Sequence, residues 1–223
     1  MWSAMEVKSI NIGQPANLVF EGETFKTAIF KRPVSRAVYL TKGGFIGDAQ
    51  ANRRVHGGPD KAVCAYSFDH YSYWNNRLDL DLGPGTFGEN VTLLGFLETR
   101  VNIGDIFEMG KAVVQVSQPR QPCENLSRKI GVLNFSNWLI DQGFTGCYFR
   151  VLREGSVETD DLMKVISRDL GRCTVDFANR LMYHDRKDQT GIQKLLEIEA
   201  LSFAWRKIFL ARLCRKNRSL EEC

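Results

Sequence analysis

The most informative stretch of this chain is Ala112-Val113-Val114-Gln115-Val116-Ser117-Gln118-Pro119-Arg120-Gln121-Pro122-Cys123, in which an apolar run is followed by two prolines and a cysteine. Its first half is typical of a strand. The prolines end this strand, because proline cannot donate to a sheet and favours extended geometry in the residue before it. The residues that follow, 124–130, predict a helix. Cys123 is therefore expected at a corner between a strand and a helix N-terminus.

Cys123 is the first candidate functional residue. Arg120 lies three residues before it and the positive end of the predicted helix follows it, so both would favour the thiolate over the thiol. The thiolate is the form that binds metals and attacks electrophiles. The alternative is that Cys123 is a small buried hydrophobic residue, the usual role of an isolated cysteine. The local sequence leaves both interpretations open.

The composition is that of an ordinary globular protein. The chain has 223 residues, of which 43% are hydrophobic and 25% are charged, and its formal net charge is +4. This charge permits an anionic ligand but is too weak to indicate nucleic-acid binding. No apolar run approaches the roughly 18 residues of a membrane span, and the N-terminal residues do not resemble a signal peptide.

The cysteines point to a reducing compartment. They lie at positions 64, 123, 147, 173, 214 and 223. Their spacing contains no CxxC pair, which argues against a zinc knuckle or a thioredoxin-type motif. Without a secretory signal, reduced thiols and a cytoplasmic location are expected.

The first 168 residues are predicted to be mainly β. Short apolar segments bounded by turn residues are typical of strands, and they lie at 7–12, 28–30, 37–40, 62–66, 91–94, 105–108, 112–117, 146–152 and 162–166. Helices are predicted between them at 69–78, with Asp69 as N-cap, at 124–130 and at 135–141. Many short strands with glycine turns favour a closed or nearly closed β-barrel with peripheral helices over a doubly wound sheet.

The pattern becomes helical after residue 172, where glycine nearly vanishes. Helices are predicted at 175–182, capped by Thr174, and at 190–198. A third follows Ser202 and carries an apolar face of Trp205, Ile208, Phe209 and Leu213. We therefore expect a β-barrel domain over residues 1–168 and a small all-α three-helix domain over residues 172–218.

The polar motif that most clearly suggests a binding site is a basic segment with two glycines, Arg53-Arg54-Val55-His56-Gly57-Gly58-Pro59-Asp60-Lys61. The glycines can adopt positive φ and let backbone N–H groups converge on an anion. The basic side chains add charge, and His56 can donate a hydrogen bond or a proton. The loop predicts phosphate binding, and the alternative is a tight turn in which His56 and Asp60 are structural.

Other polar segments could face the same ligand. Lys26 and Thr27 precede the predicted strand 28–30, and Asn90 follows Gly88 and Glu89. Asn90 offers an amide to a heterocycle, although asparagine in a loop often bonds its own backbone. The histidines at 56, 70 and 184 lack metal-site spacing, and the chain has no GxSxG motif.

Four blocks of this sequence, taken in order, resemble the MOSC domain family. They are Val55-His56-Gly57-Gly58-Pro59-Asp60-Lys61-Ala62, Phe87-Gly88-Glu89-Asn90, Gly104-Asp105, and Val116-Ser117-Gln118-Pro119-Arg120-Gln121-Pro122-Cys123. The likeness is strongest to the YiiM-like branch, which carries a small C-terminal three-helix domain. Thr174-Val175 and Ser202-Phe203-Ala204-Trp205-Arg206 fit that appendage.

The resemblance implies a MOSC-type β-barrel and a molybdenum cofactor (molybdopterin). It implies reduction of N-hydroxylated small molecules such as N-hydroxylaminopurines, a detoxification of base analogues, with electrons from a separate redox protein and with no nucleic-acid or membrane partner. In the family, a cysteine at the position of Cys123 binds molybdenum, or carries sulfur in the sulfurase branch. Sulfur transfer and a non-catalytic cofactor carrier therefore stay as alternatives.

The resemblance also implies a set of site residues. Cys123 would be the metal ligand and a catalytic residue, and His56 is the candidate proton donor. Asn90 would contact the heterocycle. The phosphate and the pterin would be held by Lys26, Thr27, Arg53, Arg54, His56, Gly57, Gly58, Asp60, Lys61 and Arg120. Cys64 and Cys147 match no family position with a role and are assigned to the core.

Overall fold

The computed structural model describes residues 5–52 and 57–221. The strands in this part of the chain are β1 (Met5–Ile12), β2 (Ala16–Phe20), β3 (Glu23–Thr27), β4 (Arg32–Val34), β5 (Val38–Thr41), β6 (Gly44–Phe45), β7 (Val63–Ser67), β8 (Val91–Leu94), β9 (Ile106–Met109), β10 (Ala112–Pro119), β11 (Cys147–Arg153), β12 (Gly155–Val157) and β13 (Leu162–Ser167). The α-helices are α1 (Tyr71–Leu78), α2 (Glu124–Ile130), α3 (Phe135–Gln142), α4 (Val175–Tyr183), α5 (Gln189–Leu196) and α6 (Phe203–Glu221). Short 3-10 turns occupy Pro59–Lys61 and Phe68–His70.

Seven of the described strands form a closed barrel. They are hydrogen-bonded in the order β13-β9-β10-β11-β7-β8-β1, and β1 pairs again with β13 through Met5 and Met163. Only the β7–β8 pair of this ring is parallel. Closure leaves the ring without a free edge, so its backbone groups are paired around the whole circumference. The predicted mainly β fold, a barrel with peripheral helices and a helical C-terminal region, is confirmed.

Two details differ from the sequence prediction. Residues 28–30 form a loop, and the strand lies just before them as β3, which makes a hairpin with β2 in the register Ala16 to Thr27. The apolar residue Ile29 misled the prediction because it is buried against helices α1–α3 rather than in a sheet. Asp69 is not the N-cap of α1: that position is His70. The side-chain cap lies one turn earlier, where the Ser67 hydroxyl accepts from the Asp69 N–H at 3.3 Å at the start of the 3-10 turn Phe68–His70.

A satellite core outside the barrel fixes the helix that follows Cys123. It is built from buried aromatic and aliphatic side chains of α1, α2, α3, the end of β7 and the adjoining loops, namely Tyr66, Tyr71, Trp74, Phe87, Leu126, Phe135 and Leu139. The Trp74 indole donates to the Tyr66 hydroxyl at 2.7 Å, so the polar atoms of this core are matched. Each large side chain contributes roughly 1.5–3 kcal/mol when it is fully buried.

The C-terminal helices share the main core of the barrel. Trp205 and Phe209 of α6 are fully buried in the same cluster as Val114 of β10 and Phe149 of β11. The Thr174 and Ser202 caps are confirmed, since their hydroxyls accept from the N–H groups of residues 177 and 205. The boundaries 1–168 and 172–218 stay a prediction. None of the helices described is both long and apolar enough to cross a membrane.

Candidate functional site

A cavity of about 190 Å³ opens beside Cys123. Six predicted site residues line it, namely Lys26, Thr27, Lys61, Asn90, Arg120 and Cys123. The structure therefore brings together residues that lie almost a hundred positions apart in sequence. The volume is below the roughly 300 Å³ of a typical small-molecule pocket, so the cavity can enclose one end of a larger ligand.

Cys123 occupies the predicted corner. β10 ends at Pro119, α2 begins at Glu124, and Cys123 is the N-cap residue with an extended backbone, φ −121° and ψ 160°. Its side chain makes no capping hydrogen bond, and the residue is half-buried. The thiol is thus presented to the cavity instead of to the helix end. Its preference for the thiolate stays a prediction.

Arg120 is the buried cation of the site. It is only 5% exposed, and its Nη2 donates to the Phe87 carbonyl at 2.6 Å. Its Nη1 is buried and has no hydrogen-bond partner among the described residues. A buried donor without a partner costs about 1–3 kcal/mol. This atom therefore marks a position where an acceptor of a bound ligand would be stabilised.

The surroundings of Arg120 favour its charged form. Burial alone would lower its pKa, but the ionisable groups around it, Cys64 first, raise the pKa above its ordinary value. The backbone N–H of Arg120 donates to the Gly146 carbonyl at 3.0 Å. The guanidinium is therefore a fixed positive charge in the cavity wall.

Lysines supply further positive charge from other walls. Lys26 comes from the end of β3 and Lys61 from the turn Pro59–Lys61. Burial lowers the pKa of Lys61, an effect that the neighbouring Asp60 carboxylate opposes. Lys31, which sequence analysis did not select, also lines the cavity and forms an ion pair with Asp48. The cavity thus suits an anionic group.

The Gly-Gly turn is only partly described. Gly58 has φ 97° and ψ 165°, a conformation that side-chain-bearing residues rarely adopt, as the sequence predicted for a glycine at this place. The cavity-lining residues do not include Gly57, Gly58 or Asp60. The predicted residues Arg53, Arg54 and His56 lie outside the described part of the chain. The roles of all these residues toward a ligand stay predictions.

Asn90 and Thr27 lie in the wall with their polar atoms engaged. The Asn90 amide oxygen accepts from the Cys64 N–H at 3.1 Å, and its nitrogen donates to Asp48 at 2.8 Å. The Thr27 hydroxyl accepts from the Ile29 N–H at 3.3 Å. Both side chains therefore shape the cavity, and the predicted contact of Asn90 with a heterocycle stays a prediction.

Two wall residues were missed by sequence analysis. Cys64 of β7 and Tyr148 of β11 are directly opposite in the register of the two strands, and both line the cavity. Burial raises the pKa of each side chain above its ordinary value. Cys147, which precedes Tyr148 in β11, is fully buried in the core. The pairing of distant strands decides which side chains face the cavity. The local sequence around Cys64 and Tyr148 therefore could not indicate that these two residues line it.

Lys129 fastens α2 to the loops beside the cavity. Its ammonium donates to the Ile29 carbonyl at 3.1 Å and to the Gly85 carbonyl at 3.0 Å. Burial is the main reason why its pKa is lowered to about 8, with Glu89 acting in the opposite direction. The helix that begins after Cys123 is therefore held in place by a polar clamp as well as by the satellite core.

Comparison with known proteins assigns the chain to a family. Residues 52–164 match the MOSC domain. Residues 174–215 match the YiiM-like 3-alpha helix domain. The chain belongs to the MOSC domain family, and within it to the YiiM-like branch, as the sequence motifs predicted.

Individual relatives cover most of the chain. It is 46% identical over 206 residues to the uncharacterized protein YflK of Bacillus subtilis (strain 168), which is 92% of this chain and 93% of that protein. The crystal structure of YiiM from Geobacillus stearothermophilus matches it with a TM-score of 0.81 at 37% identity, over 94% of this chain and 99% of that one. A protein of Gibberella moniliformis (strain M3125 / FGSC 7600) named Reductase is 32% identical over 158 residues, 69% of this chain and 28% of that protein.

Proposed function

We propose that this protein is a molybdenum-cofactor-dependent reductase of N-hydroxylated compounds, N-hydroxylaminopurines among them. One observation carries the proposal: the Cys123 thiol and the buried Arg120 guanidinium line one lysine-bearing cavity, and one guanidinium nitrogen has no partner in the part of the chain that the structure describes. Membership of the MOSC family supports it, and so does the relative named Reductase.

The residues present fit a sulfur-coordinated metal carried on an anionic organic group. A thiolate is a soft ligand of the kind that suits molybdenum in a dithiolene site. Lys26, Lys61 and Arg120 would hold the phosphate end, since a guanidinium and ammonium groups are the usual partners of phosphate. Asn90 would lie along the ring system. When bound, the cofactor supplies the two-electron redox chemistry that turns an N-hydroxyl group into an amine, and a separate redox protein supplies the electrons.

The protein's own part is to bind, orient and protonate. The conversion of R–NHOH to R–NH2 consumes two electrons and two protons and releases water, so a proton donor near the N–O oxygen is needed. His56 is the sequence-based candidate for this donor. The Tyr148 hydroxyl in the cavity wall is the second candidate. Burial raises the pKa of this phenol, so the hydroxyl keeps its proton.

The test is expression of the chain in a host that makes the cofactor. We expect bound molybdenum and pterin after purification, and reduction of 6-N-hydroxylaminopurine with an artificial electron donor. Cys123→Ala should lose both, whereas Cys214→Ala, an exposed cysteine of α6, is the matched control and should lose neither. Full activity of Cys123→Ala with cofactor bound would show that the ligand assignment is wrong.

Sulfur transfer is the second candidate function. It is favoured by the half-buried, uncapped thiol of Cys123, which an acceptor could reach from the cavity. Here the Cys123 thiolate would take the outer sulfur of a donor persulfide, releasing the donor as a thiol, and would then hand that sulfur to an acceptor and return to the thiolate. Intact mass spectrometry separates the two functions, because a stoichiometric gain of one sulfur on Cys123 without bound molybdenum would support transfer.

A further inference from the structure

The helix α6 begins against the turn that carries Lys61. The backbone N–H of Phe203 donates to the Asp60 carboxylate at 3.1 Å. The N–H of the preceding residue, Ser202, donates to the Ser117 carbonyl of β10 at 2.9 Å. The start of α6 is therefore tied both to the turn beside the cavity and to the strand that leads into Cys123.

Asp60 is the centre of this junction. One carboxylate oxygen accepts two hydrogen bonds from Arg150 of β11, at 3.0 and 2.7 Å, and the other accepts from α6. Its backbone carbonyl accepts from the Ser117 hydroxyl. Both carboxylate oxygens are thus engaged within the protein, while the next residue, Lys61, lines the cavity.

The end of α4 is tied to α6. Arg212 of α6 donates to the carbonyls of residues 181 and 182 at 2.8 and 3.0 Å. The anchored start of α6 therefore belongs to a helix that also holds the end of α4.

We propose that the three-helix region is part of the framework of the site, with Asp60 as the positioning residue. Asp60 holds Lys61 at the cavity through its bonds to the start of α6 and to β11. Because Trp205 and Phe209 share the barrel core, the start of α6 is itself anchored to the barrel. The identity of the ligand rests on the proposed function, whereas the positioning itself does not.

The first test uses the cofactor-free protein. Asp60→Asn should speed hydrogen exchange about tenfold in residues 57–63 and 117–123, the loss expected when a charge-assisted hydrogen bond is weakened. This variant should also change the rate at which iodoacetamide alkylates Cys123. Asp185→Asn is the matched control, because Asp185 pairs with Arg180 at the exposed surface of the helices.

The second test uses protein from a cofactor-producing host. Asp60→Asn should lower molybdenum per folded chain by about tenfold, and Asp60→Glu should restore part of the loss. A merely structural residue would instead raise hydrogen exchange throughout the barrel, and that result overturns the proposal.

The remaining outcomes are also decisive. Unchanged exchange and alkylation in Asp60→Asn would show that the junction does not position the cavity residues. A loss of molybdenum without a change of exchange would make Asp60 a direct cofactor contact and overturn its positioning role. If the wild-type chain binds no molybdenum, the proposed function fails, and the exchange experiment still decides the present proposal.

Discussion

Two cysteines share one cavity in this protein, and the backbone around them gives them different chemistry. Cys64 lies within a barrel strand, opposite Tyr148 of the neighbouring strand, and is 6% exposed, and burial raises its pKa. Cys123 lies at the end of a strand, half-buried, with its side chain free of any capping bond. Residue type alone therefore does not determine which cysteine can act as a metal ligand. A thiol at the end of a strand is accessible from the cavity, whereas a thiol within a strand is enclosed.

The largest expected effect separates the two cysteines by function. Cys123→Ala should reduce molybdenum content and reductase activity by at least about 100-fold, because the proposed metal ligand is lost. Cys64→Ala should keep both within about threefold, since only a small wall side chain is removed. Metal analysis and the 6-N-hydroxylaminopurine assay on both variants check this. Equal losses would mean that the two sulfurs act together.

The same two thiols should differ in reactivity. In the cofactor-free protein at neutral pH, iodoacetamide should label Cys123 about 100-fold faster than Cys64, because the Cys64 thiol is both enclosed and poorly ionised. Peptide mass spectrometry over a time course gives both rates from one sample. Comparable rates would show that the barrel wall opens at Cys64.

Arg120 tests whether the anion is held by geometry or by charge alone. Arg120→Lys keeps the positive charge but removes the planar guanidinium, whose Nη1 has no hydrogen-bond partner within residues 5–52 and 57–221. We expect cofactor content to fall by about tenfold, because lysine cannot reproduce a fork of parallel donors. Arg77→Lys, on α1 outside the cavity, serves as the matched control and should leave cofactor content unchanged. Undiminished cofactor in Arg120→Lys would reduce Arg120 to a general positive charge.

The smallest effect concerns Lys129 and pH. Its pKa of about 8 in the folded protein lies below the ordinary 10.5, so the unfolded chain binds this proton more tightly. The free energy of unfolding should therefore gain a contribution from Lys129 as pH rises from about 8 towards 10.5, and none below that window. Urea denaturation of wild type and Lys129→Met between about pH 7 and pH 10 checks this. Parallel pH profiles for the two proteins would rule out the depressed pKa.

The sequence predicted the strand-to-helix corner well because its signals are local. Proline ends β10, and the helix bounds 124–130 agree with α2. The barrel followed from the number of short strands. Residues 28–30 were mistaken for a strand, because a single buried isoleucine looks the same whether a sheet or a helix layer covers it.

The candidate site likewise contains residues that local motifs predicted and residues that only the fold reveals. Lys26, Lys61, Arg120 and Cys123 were predicted from motifs and line one cavity. Tyr148 and Cys64 were missed, since their cavity face depends on the pairing of strands more than eighty residues apart. Asp60 belongs to a recognisable motif, yet its carboxylate bonds α6 and β11, a connection that only the three-dimensional fold creates.

X-ray absorption at the molybdenum edge, on wild-type protein and on Cys123→Ser, tests most directly whether Cys123 is the metal ligand. We predict that the wild-type spectrum contains one more sulfur ligand than the spectrum of the serine variant, in samples with equal pterin content. An identical number of sulfur ligands in both proteins, or a wild-type protein that binds pterin without molybdenum, would contradict the assignment.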